Sequence, residues 1–207
     1  MLITEISRKR GKLNEITLAD GEKILLDLSV CEEFSIFEGG EISAQEIKEL
    51  EEISAYRRAF NRAVWYIERG SLSYKKLCEK LKTAGFSEPY IKKAADRLKE
   101  LGLINDEEFA ERLAEALLKS GVSKREAQQK LILKGIPYDL ARQTLNMFEC
   151  EPCDQIALLI NKHYKNRLGT EDGVKKVYAA LSRKGFNYSD IKKALSDYSD
   201  SVKYSEG

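Results

Sequence analysis

The chain has 207 residues, with 35 Lys and Arg against 34 Asp and Glu, a formal net charge of +1. A hydrophobic content of 43% with only 3 Pro and 13 Gly excludes a disordered polyelectrolyte or a linker-rich chain. No apolar run approaches the roughly 18 residues of a membrane span, the N-terminus lacks the order of a signal peptide, and 4 cysteines make no disulfide framework, so a reduced, cytoplasmic protein without membrane attachment is expected.

The near-zero charge hides an asymmetry. Residues 1–55 carry 6 basic and 13 acidic side chains, residues 56–100 carry 12 and 5, residues 101–150 carry 7 and 8, and residues 151–207 carry 10 and 8. The basic block from Arg57 to Lys99 suits a polyanion or an acidic protein surface, and equally suits a set of solvated helix faces.

In chain order, Leu2–Ile6, Leu13–Leu18 and Ile24–Leu28 read as strands, the last two joined by a tight turn at Asp20-Gly21. Such a small antiparallel sheet must cover its apolar face with another element. At Ser43-Ala-Gln-Glu46 a capping box opens a long helix to about Arg69. Its apolar residues Ile53, Tyr56, Phe60, Ala63, Val64 and Ile67 recur at spacings of three and four and share one stripe.

Beyond it lies an internal repeat. Gly85, Gly135 and Gly185 stand 50 residues apart, each four residues after a leucine (Leu81, Leu131, Leu181) and each followed by an apolar residue (Phe86, Ile136, Phe186). The alignment continues without gaps through Ile91, Ala141 and Ile191 to Leu98, Phe148 and Tyr198. A glycine there suits the left-handed position after a helix C-terminus, and the next residue makes the accompanying apolar contact. Each unit reads as three helices. The first has helices to Arg69, over 74–84 and over 88–101; the second over 107–119, over 124–134 behind a capping box at Ser123, and over 138–148; the third over 154–167, 171–184 and 188–198.

The expected organisation is an N-terminal β segment over residues 1–42, three-helix repeats over 43–102, 103–150 and 151–200, and a C-terminal tail over 201–207. This is a mainly all-α protein of tandem three-helix repeats in an elongated curved array, with a small antiparallel β-hairpin or sheet in front.

Equipment for catalysis is sparse. There is no GxxxxGK[ST] loop and no GxGxxG after a strand, and His163, the single histidine, has no nucleophile at motif spacing, so a non-enzymatic protein without cofactor is expected. Cys150-Glu-Pro-Cys153 has the spacing of half a zinc site or of a redox dithiol, but no second pair completes a metal set, so no metal is expected. The acidic run Asn105 to Glu108 reads as a helix N-cap and first turn. At about 100° per residue, Arg58, Arg62, Trp65 and Arg69 fall within about 60° of one another, opposite the apolar stripe. A tryptophan framed by arginines suits nucleic acid or a partner protein if exposed, and a packing face if a neighbouring helix covers it.

The residues Arg62-Ala-Val64, Ile67, Ser73, Leu77-x-x-Lys80-Leu81, Leu101 to Ala110, Lys130 to Ile136 and Arg183 to Ile191, in this order and spacing, resemble the bacterial RecX family, which modulates the recombinase RecA. The resemblance covers about residues 57–200, with the N-terminal hairpin outside it. It departs from the family at Asn105, which stands for an aspartate, at Tyr74-Lys-Lys76, which lacks a glutamate before Leu77, and at residues 111–119, which have few arginines. It implies tandem three-helix repeats, Asp106 and Phe109 as motif residues, and a monomeric regulator whose partners are RecA and the RecA–DNA filament, with weak direct DNA binding. The candidate partner-binding residues are Arg57, Arg58, Arg62, Trp65, Arg69, Lys75, Lys76 and Lys80. Gly85, Gly135 and Gly185 are structural.

Overall fold

The computed structural model describes residues 1–205, with side chains as far as Tyr198. The chain folds as two compact units, one from Met1 to Ile104 and one from Asn105 onward.

The first unit opens with a three-stranded antiparallel sheet in the order β1 (Ile3–Lys9), β2 (Leu13–Leu18) and β3 (Lys23–Asp27). Ile6 pairs with Ile16 and Ile16 with Ile24, and the alternation buries Ile3, Ile16, Leu18, Ile24 and Leu26 on one face. Gly21 adopts φ +87° in the expected turn, where the Asp20 carboxylate accepts from the Glu22 amide. The third strand stops one residue short of its expected end, because Asp27 caps a helix that the sequence pattern does not reveal, α1 (Leu28–Glu33). Its carboxylate accepts from the Ser29 amide at 3.0 Å and the Ser29 hydroxyl at 2.6 Å. This local alternative outcompetes strand continuation.

Ser43 makes the expected capping box with Glu46 and opens α2 (Ala44–Ile67). One half of this helix lays Ile47 and Leu50 on the sheet together with Val30 and Cys31 of α1. The other half turns Ala63 into a second core with α3 (Tyr74–Thr83) and α4 (Glu88–Glu100), built on Leu77, Leu81, Ile91, Ala95 and Leu98. The Ser54 hydroxyl, buried between the two, accepts from the Asp27 amide at 2.7 Å. Tyr74 donates to Asp96 at 2.8 Å and joins α3 to α4, and burial raises its hydroxyl pKa well above the ordinary tyrosine value.

The second unit begins with α5 (Asp106–Lys119), capped by Asn105 as expected, then α6 (Lys124–Leu133) and α7 (Tyr138–Asn146) around Ala110, Ala114, Ala127, Leu131, Ile136 and Ala141. At α6 only half of the expected capping box forms. Ser123 accepts from the Glu126 amide, while the Glu126 carboxylate pairs with Lys130 at 2.8 Å. The Ser123 hydroxyl itself donates to the Lys184 carbonyl in the third repeat.

The third repeat departs most from a regular pattern. The helix expected over 154–167 is divided into α8 (Pro152–Leu159), a π turn over Ile160–Tyr164 and a 3₁₀ turn over Lys165–Arg167. An uninterrupted α-helix would bring His163 and Arg167 within about 20° of the buried Ile156. The additional residue in the wide turn places Tyr164 and Leu168 against the core instead, and leaves His163 exposed. After it come α9 (Glu171–Arg183) and α10 (Tyr188–Ser205). Of the expected tail, residues 201–205 continue α10, and residues 206–207 lie outside the described residues.

The repeat signature has one structural meaning in all three repeats. Gly85, Gly135 and Gly185 adopt φ +88°, +92° and +87°. The amide after each glycine donates back to the carbonyl of the leucine four residues before that glycine, Phe86 to Leu81, Ile136 to Leu131 and Phe186 to Leu181, at 3.1–3.3 Å. That six-to-one bond with a left-handed glycine is the Schellman motif. The sites differ in surroundings. An added Cβ at Gly85 meets nothing within 4 Å, whereas at Gly185 it lies 3.0 Å from Ser123 Oγ and 3.2 Å from Arg125 Cβ. Ser123 is held by two hydrogen bonds and has little room to give. Gly85→Ala should therefore lose about 1 kcal/mol from left-handed strain alone, and Gly185→Ala about 1 kcal/mol more from crowding. Chemical denaturation of the two variants checks the order, and equal losses would show that the crowding is relieved.

Candidate partner-binding surface

The aromatic and basic residues singled out in the sequence are positioned mainly by the C-terminal half of α2. Arg58, Arg62, Trp65 and Arg69 are all exposed, Trp65 at 39%, so Trp65 belongs to the surface rather than to a packing face. Arg69 stacks on the indole with its guanidinium 3.5 Å from the ring centroid, and Arg62 lies 5.0 Å from the same ring. Arg69 also donates to the Trp65 carbonyl at 3.2 Å, which holds it along the helix end.

The structure adds a residue that the helical pattern does not single out. Tyr66 sits edge-on to Trp65 at 5.2 Å, 5.7 Å from the Arg62 guanidinium and 5.3 Å from Lys80 Nζ. At about 80° from Arg58 round the helix it falls between the charged stripe and the core face. Only the packing of α3 brings Lys80 onto it. The result is one cluster of an exposed indole, a half-buried phenol ring packed on the core and three exposed cations, in which the rings stabilise positive charge beside the accessible face of Trp65.

The remaining candidates divide. Arg57 is drawn away from the cluster, donating to Glu33 at 2.5 Å and to the Ser29 hydroxyl at 3.0 Å, and it ties α1 to α2. Lys76 pairs with Glu79 at 2.6 Å. Lys75 is exposed on the first turn of α3. Arg58 borders a shallow hollow with Glu51, Glu52 and Tyr90, further along α2. In the second unit Asp106 opens α5 beside Glu107 and Glu108, where the helix dipole favours acids, and Phe109 packs half-buried on the core of the second repeat.

The cysteine pair and the histidine belong to the second unit. The Cys153 thiol donates to the Asp190 carbonyl at 3.9 Å, and burial raises its pKa. His163 is exposed and meets only the ring of Tyr164, at 6.2 Å, among its ring contacts. Among the described residues no group of three His, Cys, Asp or Glu side chains is placed to hold a metal ion, and no helix is long and apolar enough to cross a membrane.

These features define a helical-repeat protein that offers a cationic, aromatic surface from one repeat. No protein-family model matches the chain. It is 28% identical over 196 residues to a protein named Regulatory protein RecX from Caldanaerobacter subterraneus, covering 94% of this chain and 98% of that protein. It is also 28% identical over 203 residues to one of the same name from Clostridioides difficile, covering 94% of each. Among solved structures, a regulatory protein RecX superposes with a TM-score of 0.68 at 22% identity over 95% of this chain and 98% of its own. RecX from Lactobacillus salivarius superposes at 0.61 and 23% identity over 69% of this chain and 96% of its own, and both share the fold. Over nearly its whole length the chain is thus similar to proteins named Regulatory protein RecX, and it shares their fold. The similarity spans 94–98% of the chain, so the N-terminal sheet, expected to lie outside the shared region, falls within it.

Proposed function

We propose that the protein is a non-enzymatic regulator that binds RecA and its nucleoprotein filament and modulates filament assembly, strand exchange or ATP turnover in DNA repair and recombination. On this reading it acts in the cytoplasm, as a monomer and without a cofactor. The observation that carries the proposal is the cluster of exposed Trp65, Arg62, Arg69 and Lys80 around half-buried Tyr66, in a chain whose near-full-length relatives are named regulatory proteins RecX. A filament coated in phosphates and acidic side chains meets the cations, and an exposed indole serves as an anchor at its contact.

The same cluster favours a second reading, a stand-alone nucleic-acid-binding protein, since arginine-flanked aromatic rings also stack on unpaired bases. Co-sedimentation separates the two. A filament regulator should bind RecA-coated DNA at least about tenfold more tightly than bare DNA at the same salt, because the coated strand offers several contacts to one chain. A dedicated DNA binder should hold bare strands alone, with affinity falling steeply as salt rises. Equal affinity for bare and coated DNA would overturn the filament reading.

A further inference from the structure

A second exposed feature lies at the other end of α2. A groove of about 340 Å³ opens between the start of β1, the chain connecting α1 to α2, and the first half of α2. Ile3, Ile42 and Leu50 are buried in its lining, and Phe34 and Phe37 stand beside them 45% and 61% exposed. Two water-facing phenyl rings beside a concave apolar surface form a patch of the kind that marks an interaction site.

The surroundings are strongly acidic. Residues 32–52 contain eight glutamates, one lysine and no other charged side chain. Glu41, Glu46 and Glu49 line the groove. The Glu46 carboxylate is engaged by the Ser43 amide at the helix cap and Glu49 Oε1 accepts from the Gln45 side-chain amide at 2.7 Å, so Glu41 and the second oxygen of Glu49 are the groove's acceptors for an incoming cation. An incoming chain cannot add as a strand here, because the adjoining edge of β1 is already closed. The Ile3 amide donates to the Gly40 carbonyl and the Gly39 amide to the Ile3 carbonyl, both at 2.9 Å, and the Ile6 amide donates to Glu38 Oε1 at 2.8 Å. Side chains entering the groove must therefore supply the contact, which is the mode of an amphipathic helix laid in a groove.

We propose that this groove docks a cationic amphipathic helix of a partner protein. Its apolar residues, at helical spacings of three and four, enter between Phe34, Phe37 and Leu50, and its lysines or arginines meet Glu41 and Glu49. Leu50 and Trp65 are separated by roughly 22 Å along α2 at 1.5 Å per residue, so this site is distinct from the cationic cluster and takes a partner of opposite charge.

The test uses the full chain and two labelled synthetic helices, one with leucine at i, i+3, i+4 and i+7 and lysine elsewhere, the other with glutamate in place of lysine, read by fluorescence anisotropy. The lysine helix should bind saturably and at least about tenfold more tightly than the glutamate helix. Glu41→Lys with Glu49→Lys, and separately Phe37→Ala, should each weaken it by about tenfold, with circular dichroism and Tm confirming the fold of each variant. Glu51→Lys with Glu52→Lys makes the same charge change on α2 outside the groove lining and should alter affinity by less than about threefold. Absence of saturable binding, equal binding of the two helices, or an equal loss in the Glu51 and Glu52 control would overturn the proposal. So would concentration-dependent self-association that Phe37→Ala abolishes, which would make a second copy of this chain the occupant.

Discussion

Replacing both Arg58 and Arg62 by glutamate is expected to weaken binding to the RecA filament by more than about tenfold while leaving Tm nearly unchanged. Both side chains are exposed, and exposed charges contribute little to folding. Across an interface the same reversal removes two attractive charges and introduces two repulsive ones, each worth on the order of 1 kcal/mol or more once water is excluded. Arg62 carries the larger share, because its guanidinium approaches both Trp65 and Tyr66. Trp65→Ala removes the aromatic anchor without changing charge. With 39% of the indole already exposed, its stability loss should stay well below the roughly 3–5 kcal/mol of a buried aromatic truncation. Filament pull-down and thermal melts on the same preparations check both effects. Undiminished filament affinity in the double glutamate variant would remove this surface from the contact while leaving the likeness to the RecX proteins in place.

The largest expected stability change lies in the second unit, at Gly173. This glycine occupies the first turn of α9, where its amide donates to the Thr170 cap at 3.1 Å. By helix propensity alone Gly173→Ala should stabilise by about 1 kcal/mol. The structure predicts the opposite sign, because a Cβ built there overlaps the backbone carbonyl of Arg167 in the preceding turn. Backbone cannot swing aside as a flexible side chain can, so the turn or the start of α9 must move. A net loss of about 2 kcal/mol or more is expected after the propensity gain is offset. Urea denaturation reads the sign directly, and a stabilised variant would show that the Arg167 turn yields easily.

What could be read from the sequence was what local chemistry decides. Ser43 with Glu46 marked the start of α2, the Asp20-Gly21 pair marked the turn, and the glycines at 85, 135 and 185 marked three helix ends that share one hydrogen-bond pattern. Each signal involves groups within a few residues of one another. The features that escaped depend on competing partners, one of them four residues away and the others far along the chain. Glu126 completes a capping box in sequence, yet its carboxylate turns to Lys130. The Ser123 hydroxyl donates to Lys184, 61 residues away. Tyr66 joins the candidate surface only because α3 delivers Lys80 to it, and Arg57 leaves the basic stripe only because α1 offers Glu33 and Ser29. The Arg58, Arg62, Trp65 and Arg69 stripe was legible because α2 carries the first three and Arg69, two residues past its end, folds back onto Trp65, and its exposure was not, because that depends on which helices pack around α2.

The wide turn at Ile160–Tyr164 makes the third repeat unusual in how it would tolerate a change in chain length. Removing one residue from an ordinary amphipathic helix rotates everything beyond it by about 100° and carries its apolar stripe off the core. Here the rotation has already been made in the other sense. Loss of one exposed residue such as Asn161 would let the segment close into a regular α-helix with Tyr164 and Leu168 still facing inward. The segment is in effect a helix one residue too long for its core, so a deletion there restores phase where it would destroy it elsewhere.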